Sequence, residues 1–116
     1  MSVVIYHNPR CSKSRQTLEV LQENGVQPEV IKYLETPLTV EQLKVLFTQL
    51  GFESVRDMMR TKEADYKEAN LGDASITDED LFAAMATNPK LFERPVVVAN
   101  NKAKTGRPPE QVLEIL

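Results

Sequence analysis

Val3-Val4-Ile5-Tyr6-His7-Asn8-Pro9-Arg10-Cys11-Ser12-Lys13-Ser14-Arg15 is the stretch on which the reading of this chain turns. Val3 to Tyr6 is β-branched and aromatic and reads as a strand. Helical spacing runs from Ser14 to Asn24 and stops at Gly25. Cys11, the only cysteine, therefore falls where a strand gives way to a helix, and His7, the only histidine, precedes it by four positions. Free N–H groups and the dipole at a helix start favour negative charge, whether a thiolate, a bound oxyanion, or each in turn. In such a place, and beside cations, a thiol pKa drops from roughly 8.5 to roughly 3.5–7.5. Arg10, Lys13 and Arg15 supply the cations, and the first acid is Glu19.

Working outward, Glu29 to Tyr33 reads as a second strand, so the first three elements form a βαβ unit with parallel strands. Thr36-Pro37 ends it. Thr39, with Gln42 three residues on, is a capping box for a helix carrying Val40, Leu43, Leu46, Phe47 and Leu50, stopped by Gly51. Residues 52–75 are less regular: Ser54 caps a short helix through Met58-Met59, Lys62 to Ala69 is another short helix, and Asn70 to Ser75 is a loop. Thr77 caps a clearer helix with Leu81, Phe82 and Met85 on its apolar face, ended by Asn88-Pro89. Met58, Met59 and Met85 read as core filler. Arg94-Pro95-Val96-Val97-Val98-Ala99 is a strand, Asn100-Asn101 a tight turn, and Lys102 to Thr105 the antiparallel return. After Gly106, Pro108 or Pro109 opens a last helix, Glu110 to Leu116.

The chain of 116 residues reads as one α/β domain over 1–116, with 41% apolar and 27% charged residues. Apolar runs long enough for a membrane span, about 18 residues, are absent, as is a signal-peptide pattern at the N-terminus. A single cysteine makes no internal disulfide, which suits a reducing cytoplasm. Net charge is −3, which argues against a general nucleic-acid footprint. The charges are unevenly placed. Residues 1–18 carry three bases and no acid, 94–109 carry Arg94, Lys102, Lys104 and Arg107 and no acid, and 53–80 carry nine acids against four bases. Charge runs are commonly solvated faces. The sharper expectation is that the two base-only segments meet and bind a small anion. One Cys and one His do not make a metal site.

This element order, with a cysteine after strand one and a proline opening the late hairpin, resembles a thioredoxin-like fold: a four-stranded mixed sheet with a helical insertion between βαβ and ββα halves. Four separated motifs narrow the resemblance. His7-Asn8-Pro9-x-Cys11-x-x-Ser14-Arg15, Tyr33-Leu34-Glu35-Thr36-Pro37, Arg94-Pro95-Val96-Val97-Val98 and Arg107-Pro108 are similar to the glutaredoxin-coupled arsenate reductase family, ArsC type, in the same order over nearly the whole chain. The resemblance implies that Cys11 attacks arsenate, that Arg60, Arg94 and Arg107 surround the anion, and that His7 is the family's histidine. It adds Asn8, Ser14 and Arg15 as substrate-binding candidates. It also implies a cis Arg94–Pro95 bond opposite the thiol. Longer members carry a C-terminal extension beyond the position of Leu116, and Pro109 after Pro108 is a local departure.

The residues support the same chemistry independently. Reducing arsenate to arsenite takes two electrons, hence two thiols. Cys11 supplies one. Ser14 stands where a dithiol oxidoreductase has its second cysteine, so the other thiol is external: glutathione as reductant, with a glutaredoxin to resolve the mixed disulfide. No bound cofactor is expected. Forked arginine donors suit the oxyanion. Blander roles stand beside these. His7 hydrogen-bonds the loop or tunes the thiol, Ser12 and Ser14 cap the helix, Arg60 lies at an exposed helix end, and Lys13 and Arg15 contribute field. A phosphatase-like reductase needs Cys-x5-Arg, and that position holds Thr17. The remaining alternatives are a glutathione-linked monothiol oxidoreductase and a non-enzymatic Spx-type regulator that binds RNA polymerase. The regulator usually switches through Cys-x-x-Cys, which Cys11-x-x-Ser14 lacks.

Overall fold

A computed structural model describes residues 3–92, 95–106 and 108–116. The chain divides into two compact units, Met1–Thr36 with Arg94–Leu116, and Pro37–Glu93. The elements run β1 (Val3–Tyr6), α1 (Ser12–Glu23), β2 (Glu29–Ile31), α2 (Val40–Leu50), α3 (Ala64–Glu68), α4 (Asp78–Thr87), β3 (Val96–Ala99) and β4 (Lys102–Thr105), with 3-10 turns between and after them. This is the α/β order read from the sequence.

The first unit holds a four-stranded mixed sheet in the order β2-β1-β3-β4. β1 and β2 are parallel, with Ile5 opposite Val30, as expected for strands joined by a crossover helix. β3 runs antiparallel to β1, pairing Val3 with Ala99 and Tyr6 with Val96. β4 returns along β3 from Asn100-Asn101, which take φ of 55° and 61°. Both central turn residues of a type I′ hairpin need positive φ, and asparagine tolerates it. Val3, Ile5, Val97 and Ala99 share one face because strand side chains alternate. They pack with Leu21 of α1 and with Val112 and Ile115 in a buried apolar cluster.

Four boundaries differ from the sequence reading. α1 begins at Ser12, because Cys11 is extended (φ −93°, ψ 124°) and its carbonyl accepts the Arg15 N–H at 3.0 Å. β2 ends at Ile31, not Tyr33: the Lys32 carbonyl accepts the N–H groups of both Glu35 and Thr36 at 2.9 Å, so the chain turns and buries Tyr33 within the bend. The helix expected over Lys62 to Ala69 is the shorter α3. The C-terminal segment Pro109–Ile115 is 3-10, not α. Its buried residues, Pro109, Val112 and Ile115, recur every three positions, and a three-residue turn stacks them along one side. Asn100 Nδ2 donates to the Ile115 carbonyl at 2.8 Å and fastens its end.

The second unit is helical. Thr39 with Gln42, and Thr77 with Asp80, form complete capping boxes at α2 and α4. Leu43, Leu46 and Leu50 of α2 and Leu81, Phe82 and Met85 of α4 are buried, and Phe47 meets Phe82 edge-on at 6.0 Å. Ser54 caps a 3-10 turn over Val55–Met58. Arg56 holds the irregular segment after it, donating from Nε and Nη2 to the Leu71 carbonyl and from Nη2 to the Asp73 carbonyl. Met58, Met59 and Met85 are buried, as core filler should be.

Candidate active site

The parallel pairing of β1 and β2 places their carboxyl ends side by side, which is where ligands bind in open α/β sheets. The His7 N–H donates to the Ile31 carbonyl at 2.8 Å and closes the ladder there. The loop from His7 to Cys11 leaves from this point.

The loop is held by a buried polar network, not by apolar packing. His7, Asn8, Ser14 and Thr17 are all buried. Ser14 Oγ lies 2.6 Å from His7 Nδ1 and accepts the Asn8 N–H at 3.0 Å. A hydroxyl has one proton and two acceptor sites, so after accepting that N–H it still pairs with His7 Nδ1 in either ring tautomer. Burial pushes the His7 pKa down from its ordinary 6.5, and the Lys32 and Arg15 cations push it the same way. Asn8 Oδ1 accepts the Arg10 N–H at 3.0 Å, and the Asn8 carbonyl accepts the Cys11 N–H at 3.0 Å. Arg15 Nη1 reaches back to the Pro9 carbonyl at 2.9 Å.

Cys11 occupies the N-cap position of α1 and is partly exposed. In an α-helix the first N–H groups, here those of Ser12, Lys13 and Ser14, lack carbonyl partners within the helix. The first turn contains no acid. A negative sulfur or oxyanion at this point meets aligned N–H dipoles and no opposing carboxylate from the helix.

The expected site residues are thus placed unequally. His7, Asn8, Cys11, Ser14 and Arg15 come together in one turn. Ser14 is no helix cap; it joins His7 to Asn8. Arg94 and Arg107, and with them the Arg94–Pro95 bond, lie outside the described residues. Their chain neighbours are described: the Gly106 N–H donates to the Pro95 carbonyl at 3.1 Å. A Cβ on Gly106 would collide with Thr17 Oγ1 and Pro95 Cγ, so only glycine permits this approach. Arg60 belongs to the second unit. There its N–H donates to the Leu91 carbonyl at 2.7 Å, beside the Met59–Phe92 bridge, and its Nη1 pairs with Glu63 at 3.0 Å. It is half-buried and engaged, not at an exposed helix end.

Sequence reasoning passed over Lys32, and took Leu34 and Glu35 only as part of a family motif, with no site role. With His7, Asn8, Pro9 and Arg10 they line a cleft of about 400 Å3. The signal that locates them is the parallel pairing itself, which carries the residues after β2 to the same end as those after β1.

Among the described residues no helix is long and apolar enough to cross a membrane. The ArsC family pattern matches residues 6–115. The chain is 62% identical over 114 residues to the uncharacterized protein YfgD of Escherichia coli (strain K12), covering 98% of this chain and 96% of that one. It is 49% identical over 116 residues to an arsenate reductase of Haemophilus influenzae (strain ATCC 51907 / DSM 11121 / KW20 / Rd), covering both in full. Among solved structures, an arsenate reductase from Vibrio cholerae superimposes with a TM-score of 0.99 at 66% identity, over 100% of this chain and 98% of that one. A match over almost the whole length, in sequence and in backbone, leaves one assignment: this chain belongs to the ArsC family.

Proposed function

We propose that this protein is an arsenate reductase in which Cys11 is the attacking thiol and an external thiol completes the reduction. The observation that carries the reading is the position of Cys11, partly exposed at the N-cap of α1 on a loop fixed by buried polar groups. The names of the similar Haemophilus influenzae and Vibrio cholerae proteins support the substrate.

In this reading the Cys11 thiolate attacks arsenic, forms a sulfur–arsenic bond and displaces an arsenate oxygen, which leaves as water after protonation. Glutathione then attacks at the adduct. A sulfur–sulfur bond forms between Cys11 and glutathione, two electrons pass to arsenic, and arsenite departs. A glutaredoxin thiol attacks the mixed disulfide and returns Cys11 to the thiol. The lone cysteine suits a reducing cytoplasm.

The chain's own part is positional and electrostatic. The α1 N–H groups favour the anion and the thiolate. Arg94 and Arg107 are assigned to the oxyanion as forked donors on the family resemblance. Arg60 is assigned to the oxyanion on the family resemblance. Neutral His7 acts through Ser14, as does the Asn8 N–H, and both keep the loop in the conformation that presents sulfur.

The test is arsenate reduction with glutathione and glutaredoxin, comparing the protein with its Cys11→Ser variant. Turnover should be lost in the variant and should require the external thiol in the parent. Arsenite formation by Cys11→Ser, or none by the parent with any thiol donor, would overturn the reading.

A further inference from the structure

We propose that the cleft beside the Cys11 loop is the glutathione site, holding the tripeptide by both of its charged ends. This rests on the proposed function only for the claim that an external thiol is needed. One wall is Asn8-Pro9-Arg10, the three residues before Cys11. The other is Lys32, Leu34 and Glu35, in the turn after β2. Its volume, about 400 Å3, lies within the ~300–1,000 Å3 span of small-molecule sites.

The charges match one ligand class closely. Glutathione carries two carboxylates, one ammonium and a thiol. The cleft offers two cations, Arg10 and Lys32, and one carboxylate, Glu35. Among the described residues none of these three makes an ion pair, although all are exposed and Lys32 and Glu35 lie in one turn. A free amino acid end presents an ammonium and a carboxylate together, which is what an adjacent Glu35 and Lys32 complement. Arg10, next to Cys11, then faces the glycine carboxylate. Leu34, 40% exposed, and Pro9 offer apolar surface to the intervening methylenes. Lys32 already acts across this space, since its charge helps to hold His7 neutral.

The reaction that reads this site is a plain exchange. The Cys11 thiolate attacks one sulfur of glutathione disulfide, the sulfur–sulfur bond breaks, the Cys11–glutathione disulfide forms, and glutathione thiolate leaves. No net oxidation occurs and no arsenate is involved.

The test measures how fast Cys11 is modified by glutathione disulfide and by neutral hydroxyethyl disulfide, using mass spectrometry at one pH. The second reagent reports any change in the thiolate itself, so the ratio of the two rates isolates recognition. Lys32→Glu should lower the ratio about tenfold, the worth of one charge-assisted hydrogen bond. Glu35→Lys should lower it as well, because the ammonium loses its partner. A general electrostatic field predicts the reverse for Glu35→Lys, since added positive charge attracts an anionic disulfide. A ratio unchanged in Lys32→Glu, or raised in Glu35→Lys, overturns the proposal. Arsenate turnover is followed separately: its absence contradicts the proposed function and leaves the exchange ratios standing.

Discussion

The two ends of α1 are built from different material. At its C-terminal end Leu21 is fully buried against the sheet with Val3, Ile5, Val97 and Ala99. At its N-terminal end the buried residues are Ser14 and Thr17, facing His7, the Asn8 N–H and Gly106. The apolar end gains stability simply by leaving water. The polar end gains little net, because each hydrogen bond replaces one to water, and it is costly if any partner is missing. A helix that fixes its first turn with a buried hydroxyl and imidazole spends stability on the shape of one loop, the loop that carries Cys11.

Removing Leu21 tests the apolar end and should have the largest effect. Leu21→Ala should cost about 2–5 kcal/mol of unfolding free energy, read by urea denaturation. Thiol reactivity of the remaining folded protein should stay at the parent value. A smaller stability loss accompanied by altered Cys11 reactivity would mean that the two ends are not separable.

Ser14→Ala breaks the polar end. It leaves the Asn8 N–H and His7 Nδ1 without their shared partner, at roughly 1–3 kcal/mol. Unlike Leu21→Ala, it should also slow Cys11 chemistry, because the loop conformation depends on it. Reactivity at the parent level, with only stability lowered, would reduce Ser14 to a packing residue.

These two variants also separate what could be read from the sequence from what could not. The apolar end was legible in outline: Val3 to Tyr6 and Val96 to Ala99 read as strands by residue type, and helical spacing ran from Ser14 to Asn24. So were local devices, such as the capping boxes at Thr39 and Thr77 and the Asn100-Asn101 turn. The polar end was legible only as a list of residues. That Ser14 joins His7 to Asn8, instead of capping the helix, depends on the loop folding back over seven positions. The end of β2 depends on a bend that buries Tyr33, whose strand propensity points the other way. The packing of Val112 and Ile115 in the 3-10 segment 109–115 is against Val3, Ile5, Val97 and Ala99, which are distant in sequence. Lys32 and Glu35 matter only once β2 is known to lie parallel beside β1.

The smallest expected effect concerns pH. His7 binds a proton less readily folded than unfolded, chiefly through burial and then through Lys32 and Arg15. The unfolded chain takes up the proton first as pH falls. Stability from this group is therefore complete above the ordinary value of 6.5 and is lost as pH drops through the lowered folded value. Urea unfolding between about pH 7.5 and about pH 5 should show this decline, and His7→Gln should flatten it. An equal slope in both proteins would remove His7 as its source.

The central claim is that the polar end of α1 exists to present Cys11 as a thiolate, and alkylation of Cys11 by iodoacetamide as a function of pH tests it most directly. With the sulfur at the head of α1, the rate should reach half its plateau well below the free-thiol value of roughly 8.5, and the midpoint should move toward that value in Ser14→Ala. A midpoint at or above roughly 8.5 in the parent protein would contradict the account.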